Sequence, residues 1–450
     1  MPANGNYLIV LTIATLLFLL FLILVAKLHA FVGLLISAMA MGLASGMAPD
    51  KVLKSIQTGF GDALGFIAVV LGLGAMIGRF LEYSGGGRAL ADWLLLKFGK
   101  ENAAWAMLVA AFLVGLPIFF EVGFIILIPL VWNLARETKR SLLFYGLPMA
   151  AALTMTHSLV PPHPAPAAAT QLLGGDLGST ILYGAAMSLP MAIMAGIVYG
   201  GWIARRIYVP VPEIANTVVA NSETRAAETT SAPPIPVVIL LLVLPVVLTL
   251  GATFASMSDV PFKAAATFVG HPYTALTITA LVAIYFFGIR RGLTREKASK
   301  MATDSLLPVG SLICIMGGGG ALKQIIVDSG VGSYAGKMLM TSSISPLFVV
   351  WLIAVVMRIA QGSATVAIIT AAGLAAPLVK GIPGFTPTEL ILALCAGGSA
   401  FSHVNDAGFW LVTSYFGMTV PQSLKSWTMM KIVACVMGLA IVMGAHALVR

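Results

Sequence analysis

The stretch Thr156-His157-Ser158-Leu159-Val160-Pro161-Pro162-His163-Pro164-Ala165-Pro166 decides how this chain has to be built. Four prolines fall within six residues. Each removes a backbone donor and crowds the turn before it, so a helix cannot run through them. Yet the flanks on both sides are mostly apolar. In lipid, irregular backbone survives only where protein buries it or where it lines a cavity. The stretch therefore reads as the interruption of a broken membrane helix over 142–173.

Composition says the same of the whole chain. Of 450 residues, 59% are hydrophobic and 10% charged, against about 45–50% and about 25% in soluble domains. Twenty-six Lys and Arg with 17 Asp and Glu cannot clothe a soluble fold of this size. An ordinary cytosolic enzyme, a disordered protein and a secreted disulfide scaffold are excluded, and an all-α polytopic membrane protein remains. Cys314, Cys395 and Cys435 lie in apolar stretches and imply no disulfide framework. The net charge of +9 is scattered over short loops, which fits a positive-inside bias rather than a nucleic-acid partner.

Apolar runs long enough to span a bilayer lie near 7–25, 29–47, 62–82, 180–204, 236–256, 270–289, 306–328 and 428–448. The first lacks a basic leader and a clear cleavage site, so it reads as a retained helix. Interrupted apolar regions lie at 103–135 and 142–173, and again at 346–380 and 388–416. The polar, proline-containing segment 209–235 reads as a linker. It divides a first membrane repeat, 1–208, from a second, 236–450.

A shift of 246 residues relates these halves. It lays Asp50-Lys51-Val52-Leu53-Lys54 on Glu296-Lys297-Ala298-Ser299-Lys300, Gly74-Ala75 on Gly320-Ala321, Glu82 on Asp328, and His157 on His403. Each half then holds three plain spans, a re-entrant hairpin (103–135 or 346–380), a broken helix (142–173 or 388–416) and a last plain span. With the hairpin entering and leaving on one face, each repeat crosses about five times, and an odd count inverts the second repeat. Counting basic residues on this topology puts sixteen on one side and six on the other. Both termini are then expected outside the cytoplasm and the linker inside it.

Four polar islands interrupt the apolar sequence. In Gly115-Leu116-Pro117-Ile118-Phe119-Phe120-Glu121-Val122-Gly123, Pro117 and Gly123 mark a break whose freed amides favour an anion. Glu121 is a lone acid there that must be neutralised or paired, as a structural partner of a neighbouring helix or as a proton carrier. The 246 shift lays Gln361–Thr365 of Arg358-Ile359-Ala360-Gln361-Gly362-Ser363-Ala364-Thr365-Val366 over Gly115–Phe119. Its small residues let a ligand approach the backbone. Arg358 either meets a substrate carboxylate, pairs internally with Glu121 or Asp406, or snorkels to the interface.

His157 and His163 fit no zinc signature and suit hydrogen bonding to hydroxyls or proton relay. Gly397-Gly398-Ser399-Ala400-Phe401-Ser402-His403-Val404-Asn405-Asp406-Ala407-Gly408 is the fourth island. Asp406 is an embedded acid like Glu121, with helix capping by Asn405 or Asp406 as the alternative. Paired islands of this kind point to one midplane site at the repeat interface.

These motifs resemble those of the gluconate permease family of bacterial secondary transporters, within the larger ion-transporter superfamily. The residues that carry the resemblance are Pro117–Val122, His157–Pro164, Gly362–Ala367 and Ser402–Asp406, and it runs over essentially the whole chain. It implies proton-coupled import of gluconate or a related sugar acid across the bacterial inner membrane. It also implies two inverted repeats, an elevator motion and a homodimer. Sodium-coupled relatives carry a Ser-Asn-Thr tip; Phe119-Phe120-Glu121 stands here instead, which favours protons, although Ser363 and Thr365 remain at the second tip.

The expected substrate-binding residues are Pro117, Phe120, Gly123, His157, Ser158, His163, Arg358, Gly362, Ser363, Thr365, His403 and Asn405. Glu121 and Asp406 are the proton-coupling candidates. No metal or cofactor is expected beyond the proton. Rival readings are a carrier for D-serine, glycerate or another small anion, a passive channel, and an intramembrane metalloenzyme using His157, His163 and His403.

Overall fold

The structure, a computed structural model, describes residues 5–213, 215, 233–256, 261–307, 310–330, 344–379, 381–403 and 406–449. Among them the chain is helical throughout, without a strand. The first half holds α1 (Gly5–Leu24), α2 (Ala30–Ala44), α3 (Pro49–Tyr83), α4 (Gly86–Phe98), α5 (Ala103–Gly115), α6 (Phe120–Thr138), α7 (Leu143–Leu159), α8 (Pro164–Leu173) and α9 (Leu177–Ala204). The second holds α10 (Ile235–Ser256), α11 (Lys263–Gly270), α12 (Pro272–Arg291), α13 (Arg295–Leu306) and α14 (Gly310–Asp328). It continues through α15 (Pro346–Gln361), α16 (Ala364–Val379), α17 (Pro387–Gly398), α18 (Ala407–Phe416) and α19 (Val420–Val449). Most of the 209–235 linker lies outside the described residues.

Local chemistry sets many of these boundaries. Proline at the first helical turn opens α3, α8, α12, α15 and α17, where its missing N–H costs nothing. Thr386 and Glu389 close a capping box on α17. The chain breaks between α5 and α6, α7 and α8, α15 and α16, and α17 and α18, at the four polar islands. The short helices α4, α11 and α13, and the extension of α3 back to Pro49, were not visible to a search for long apolar runs. They carry charges such as Asp50, Lys51, Lys54, Arg88, Asp92, Arg295 and Glu296 on helical turns outside those runs.

The broken helix lies at the centre. The best apolar window of Leu143–Leu173 is 94% buried, against 22% for that of Val420–Val449, so the interrupted element is covered by protein while the last helix leaves much of its surface for lipid. That meets the requirement that irregular backbone at membrane depth be shielded. Within each half the first hairpin arm packs on the first part of the broken helix, α5 on α7 and α15 on α17. Between the halves, α3 crosses α14 at Gly59 and Gly320. A Cβ on either glycine would stand 2.3 Å from the other's carbonyl oxygen, so only glycine permits this backbone contact.

Candidate substrate and coupling site

Three of the four breaks bring helix N-termini to one small cavity. The start of α6 contributes Phe120 and Glu121, the start of α16 contributes Ser363, Ala364 and Thr365, and the start of α18 contributes Asp406 and Gly408. Thr154 and His157 reach it from α7, Arg358 from the last turn of α15, and Trp427 and Lys431 from α19. The cavity measures about 50 Å³, room for little more than one water at ~30 Å³ each. Amides at a helix start and the aligned peptide dipoles favour negative charge, a place that the Asp406 carboxylate itself takes at α18.

The tips are shaped for this. Phe119 enters α6 with extended backbone at φ −57°, ψ 148°. At the second tip Gly362 ends α15 at φ +77°, a conformation that costs a side-chain-bearing residue. The Ser363 hydroxyl then accepts a 3.4 Å hydrogen bond from the Val366 amide, opening α16.

Arg358 is 1% exposed and is held on two sides. Its Nε donates to the Ala400 carbonyl at 2.8 Å and its Nη2 to Asp406 Oδ2 at 2.5 Å. Of the three roles open to Arg358 from sequence, internal pairing with Asp406 is therefore realised. Asp406 also accepts from the Ser402 hydroxyl and, through Oδ1, from the Gly408 amide at 3.0 Å, capping α18. Ser402 is fixed in turn by Trp427 Nε1, which donates to its hydroxyl at 2.6 Å, and by Thr428, which donates to its carbonyl at 2.5 Å. Glu121 differs: it is exposed, lines the cavity, and joins no salt bridge among the described residues.

The two histidines divide. His157 is buried, shares a 3.3 Å hydrogen bond between Nε2 and Thr365 Oγ1, and leaves Nδ1 without a partner among the described residues. His163 does not line the cavity; its Nε2 donates to the Gly115 carbonyl at 2.5 Å, tying the second break to the first. Their rings stand 4.7 Å apart, with Phe119 about 6 Å from each.

Other expected site residues lie elsewhere. Gly123 packs on α7, where a Cβ would come 2.8 Å from Leu153 Cδ2. Pro117 faces a separate cavity of about 280 Å³ with Arg79, Glu82 and Asp304. His403 hydrogen-bonds the Ile359 carbonyl at 3.1 Å rather than facing the cavity. Ser158 is buried with its hydroxyl unpartnered among the described residues, and Asn405 lies outside them. Among the described residues no three His, Cys, Asp or Glu side chains gather as metal ligands, so the three histidines of the metalloenzyme reading do not converge.

Residues 7–449 match the family model of the GntP family permeases. The chain is also 44% identical to a gluconate permease of Pseudomonas aeruginosa, covering 98% of each chain. It is 40% identical to the high-affinity gluconate transporter of Escherichia coli, over 92% of this chain and 93% of that one. The chain belongs to the GntP permease family. It is thus a multi-pass membrane transport protein and not an enzyme.

The fold is similar to that of solved transporters of low sequence identity. The Alcanivorax borkumensis YdaH transporter superposes with a TM-score of 0.62 at 13% identity, covering 92% of this chain and 96% of that one. Neisseria gonorrhoeae MtrF gives 0.64 at 12% identity, with 92% and 93% covered.

One charged group in the permease's cavity escaped the sequence reading. Lys431 is 1% exposed, and its Nζ donates to Thr154 Oγ1 at 2.5 Å. The signal was there: a lone lysine in the otherwise apolar run 428–448 is a functional candidate by the cost of its burial alone. Trp427 was passed over, and Ser402, although within the fourth island, was given no site role, because the contact between them joins residues 25 apart.

Proposed function

We propose that this permease imports gluconate or a closely related sugar acid across the bacterial inner membrane together with protons. The observation that carries the reading is the convergence of three helix N-termini and two basic side chains, Arg358 and Lys431, on one cavity. Such a place favours a carboxylate, and the hydroxyls of Ser363, Thr365 and Thr154 with His157 are suited to a polyol chain. The names of the two relatives above support gluconate over D-serine or glycerate.

Glu121 is the proton carrier in this reading. Asp406 already accepts three hydrogen bonds, one of them from a guanidinium, whereas Glu121 pairs with no cation among the described residues. A carboxyl alternately facing water and a low-dielectric interior gains and loses its proton with that change. The cavity is too small for a six-carbon acid as it stands, so loading requires the hairpin tips to part. An elevator movement of hairpins and broken helices against α3 and α14 fits that need. Inverted repeats with termini outside the cytoplasm agree with the distribution of basic residues.

Uptake by proteoliposomes, with substrate, pH gradient and sodium varied independently, tests the reading. Gluconate should accumulate against its gradient when the pH gradient is imposed and without sodium. Uptake that only equilibrates would indicate a passive channel, and sodium dependence would remove the proton. Competition by D-serine and glycerate ranks the substrates.

A further inference from the structure

A buried ammonium is costly unless an anion or several acceptors surround it. Lys431 has a threonine hydroxyl at 2.5 Å and the face of Trp427 at 5.7 Å from the ring centre, and both are neutral. No salt bridge reaches it among the described residues. Asp406 is committed to Arg358, Ser402 and the Gly408 amide. Arg358 offers a second open donor: its Nη1 is buried without a partner among the described residues, and it lines the same cavity as Lys431. Two cations thus border one cavity with two acids, of which only Asp406 is ion-paired among the described residues.

We propose that Lys431, assisted by Nη1 of Arg358, holds the carboxylate of the transported anion. The inference rests on the anion-transport reading above and names the group that does the binding. It also fixes the charge balance. Arg358 cancels Asp406, and in the empty site Lys431 offsets Glu121. When a substrate carboxylate takes Lys431, Glu121 has to be neutral, so one proton travels with each anion. Loaded and empty sites then carry the same charge. His157 lines the same cavity from α7, and Cys435 stands one turn on from Lys431 in α19; the balance assigns neither a charge.

Calorimetric titration of the purified full-length protein compares gluconate with D-glucitol, which keeps the hydroxyls and lacks the carboxylate. The wild type should prefer gluconate strongly. Lys431→Met should weaken gluconate on the order of 10–100-fold, the range expected for losing a hydrogen-bonded charge, with D-glucitol unchanged. Lys431→Arg should restore most of the preference. Unchanged gluconate affinity in folded Lys431→Met overturns the proposal.

A second measurement needs no variant. Wild-type proteoliposomes with clamped potential should accumulate gluconate according to the pH gradient alone, and accumulation that follows membrane potential also overturns the proposal. If the wild type binds glycerate or D-serine but not gluconate, the substrate is corrected, and an affinity for that anion unchanged in folded Lys431→Met overturns the proposal while a selective loss supports it. A wild type that binds no carboxylate sinks both readings.

Discussion

At the first tip, between α5 and α6, the chain turns through Pro117-Ile118-Phe119 and presents Phe120 and Glu121; at the second, between α15 and α16, Arg358 precedes Gly362-Ser363-Ala364-Thr365. An offset of 246 residues aligns Gly115–Phe119 with Gln361–Thr365 in sequence. Their electrostatics are opposite. The first carries an acid with no cation on it among the described residues, walled by aromatic rings. The second carries a cation locked to Asp406 and to the Ala400 carbonyl, followed by small residues that leave room. Two breaks thus provide two helix starts at one cavity, and their different residues separate a fixed charge from one left open. A group that must change its charge during a cycle cannot also be the clamp that holds the site together.

The sharpest way to break this comparison is to unpair the second tip. Asp406→Asn strands a buried guanidinium and should cost about 3–5 kcal/mol, read as lost thermal stability in detergent. Adding Arg358→Gln should recover much of it. A single variant as stable as the wild type would mean that the pair does not brace the tip.

The corresponding change at the first tip should spare stability and strike coupling. Glu121→Gln should abolish accumulation driven by a pH gradient while counterflow exchange of substrate persists. Accumulation at the wild-type level would remove Glu121 as proton carrier.

A smaller effect is expected where the first tip is tied down. His163→Phe removes the donor to the Gly115 carbonyl and should cost about 1–3 kcal/mol for an acceptor left buried and unpaired. His163→Gln, which keeps a donor, should recover part of this. Equal melting of both variants would show that the bond is not what holds the tip.

The smallest contrast is between glycines. Gly362→Ala at φ +77° should cost about 1 kcal/mol or somewhat more from backbone strain. Gly123→Ala meets only the end of the Leu153 side chain, at 2.8 Å, which can shift, and should cost less. Melting temperatures measured side by side decide the order.

Much of this site was legible before any fold was known, for a local reason. Pro161, Pro162, Pro164 and Pro166 stop a helix wherever they occur. Glu121, Arg358 and Asp406 are anomalous in any apolar span. Lys431 obeys the same rule and was missed because its run contains no proline, glycine pair or polar neighbour cluster to draw attention to it. Gly123 and His163 were read as substrate contacts, and the structure uses them instead in packing on α7 and in joining two breaks. Nothing in their local sequence separates those roles, since both leave a small or polar residue beside a break.

The sequence by itself determined that the chain is a membrane protein of helices, where those helices break, and which embedded charges require an explanation. Composition, backbone stereochemistry and the cost of burying charge act residue by residue, so no neighbours need be known. Only the tertiary structure decided which charge answers which. Arg358 pairs with an acid 48 residues away, and Lys431 rests on a threonine 277 residues away. Electrostatic partnership depends on distances of a few ångströms in space, and chain order does not carry them.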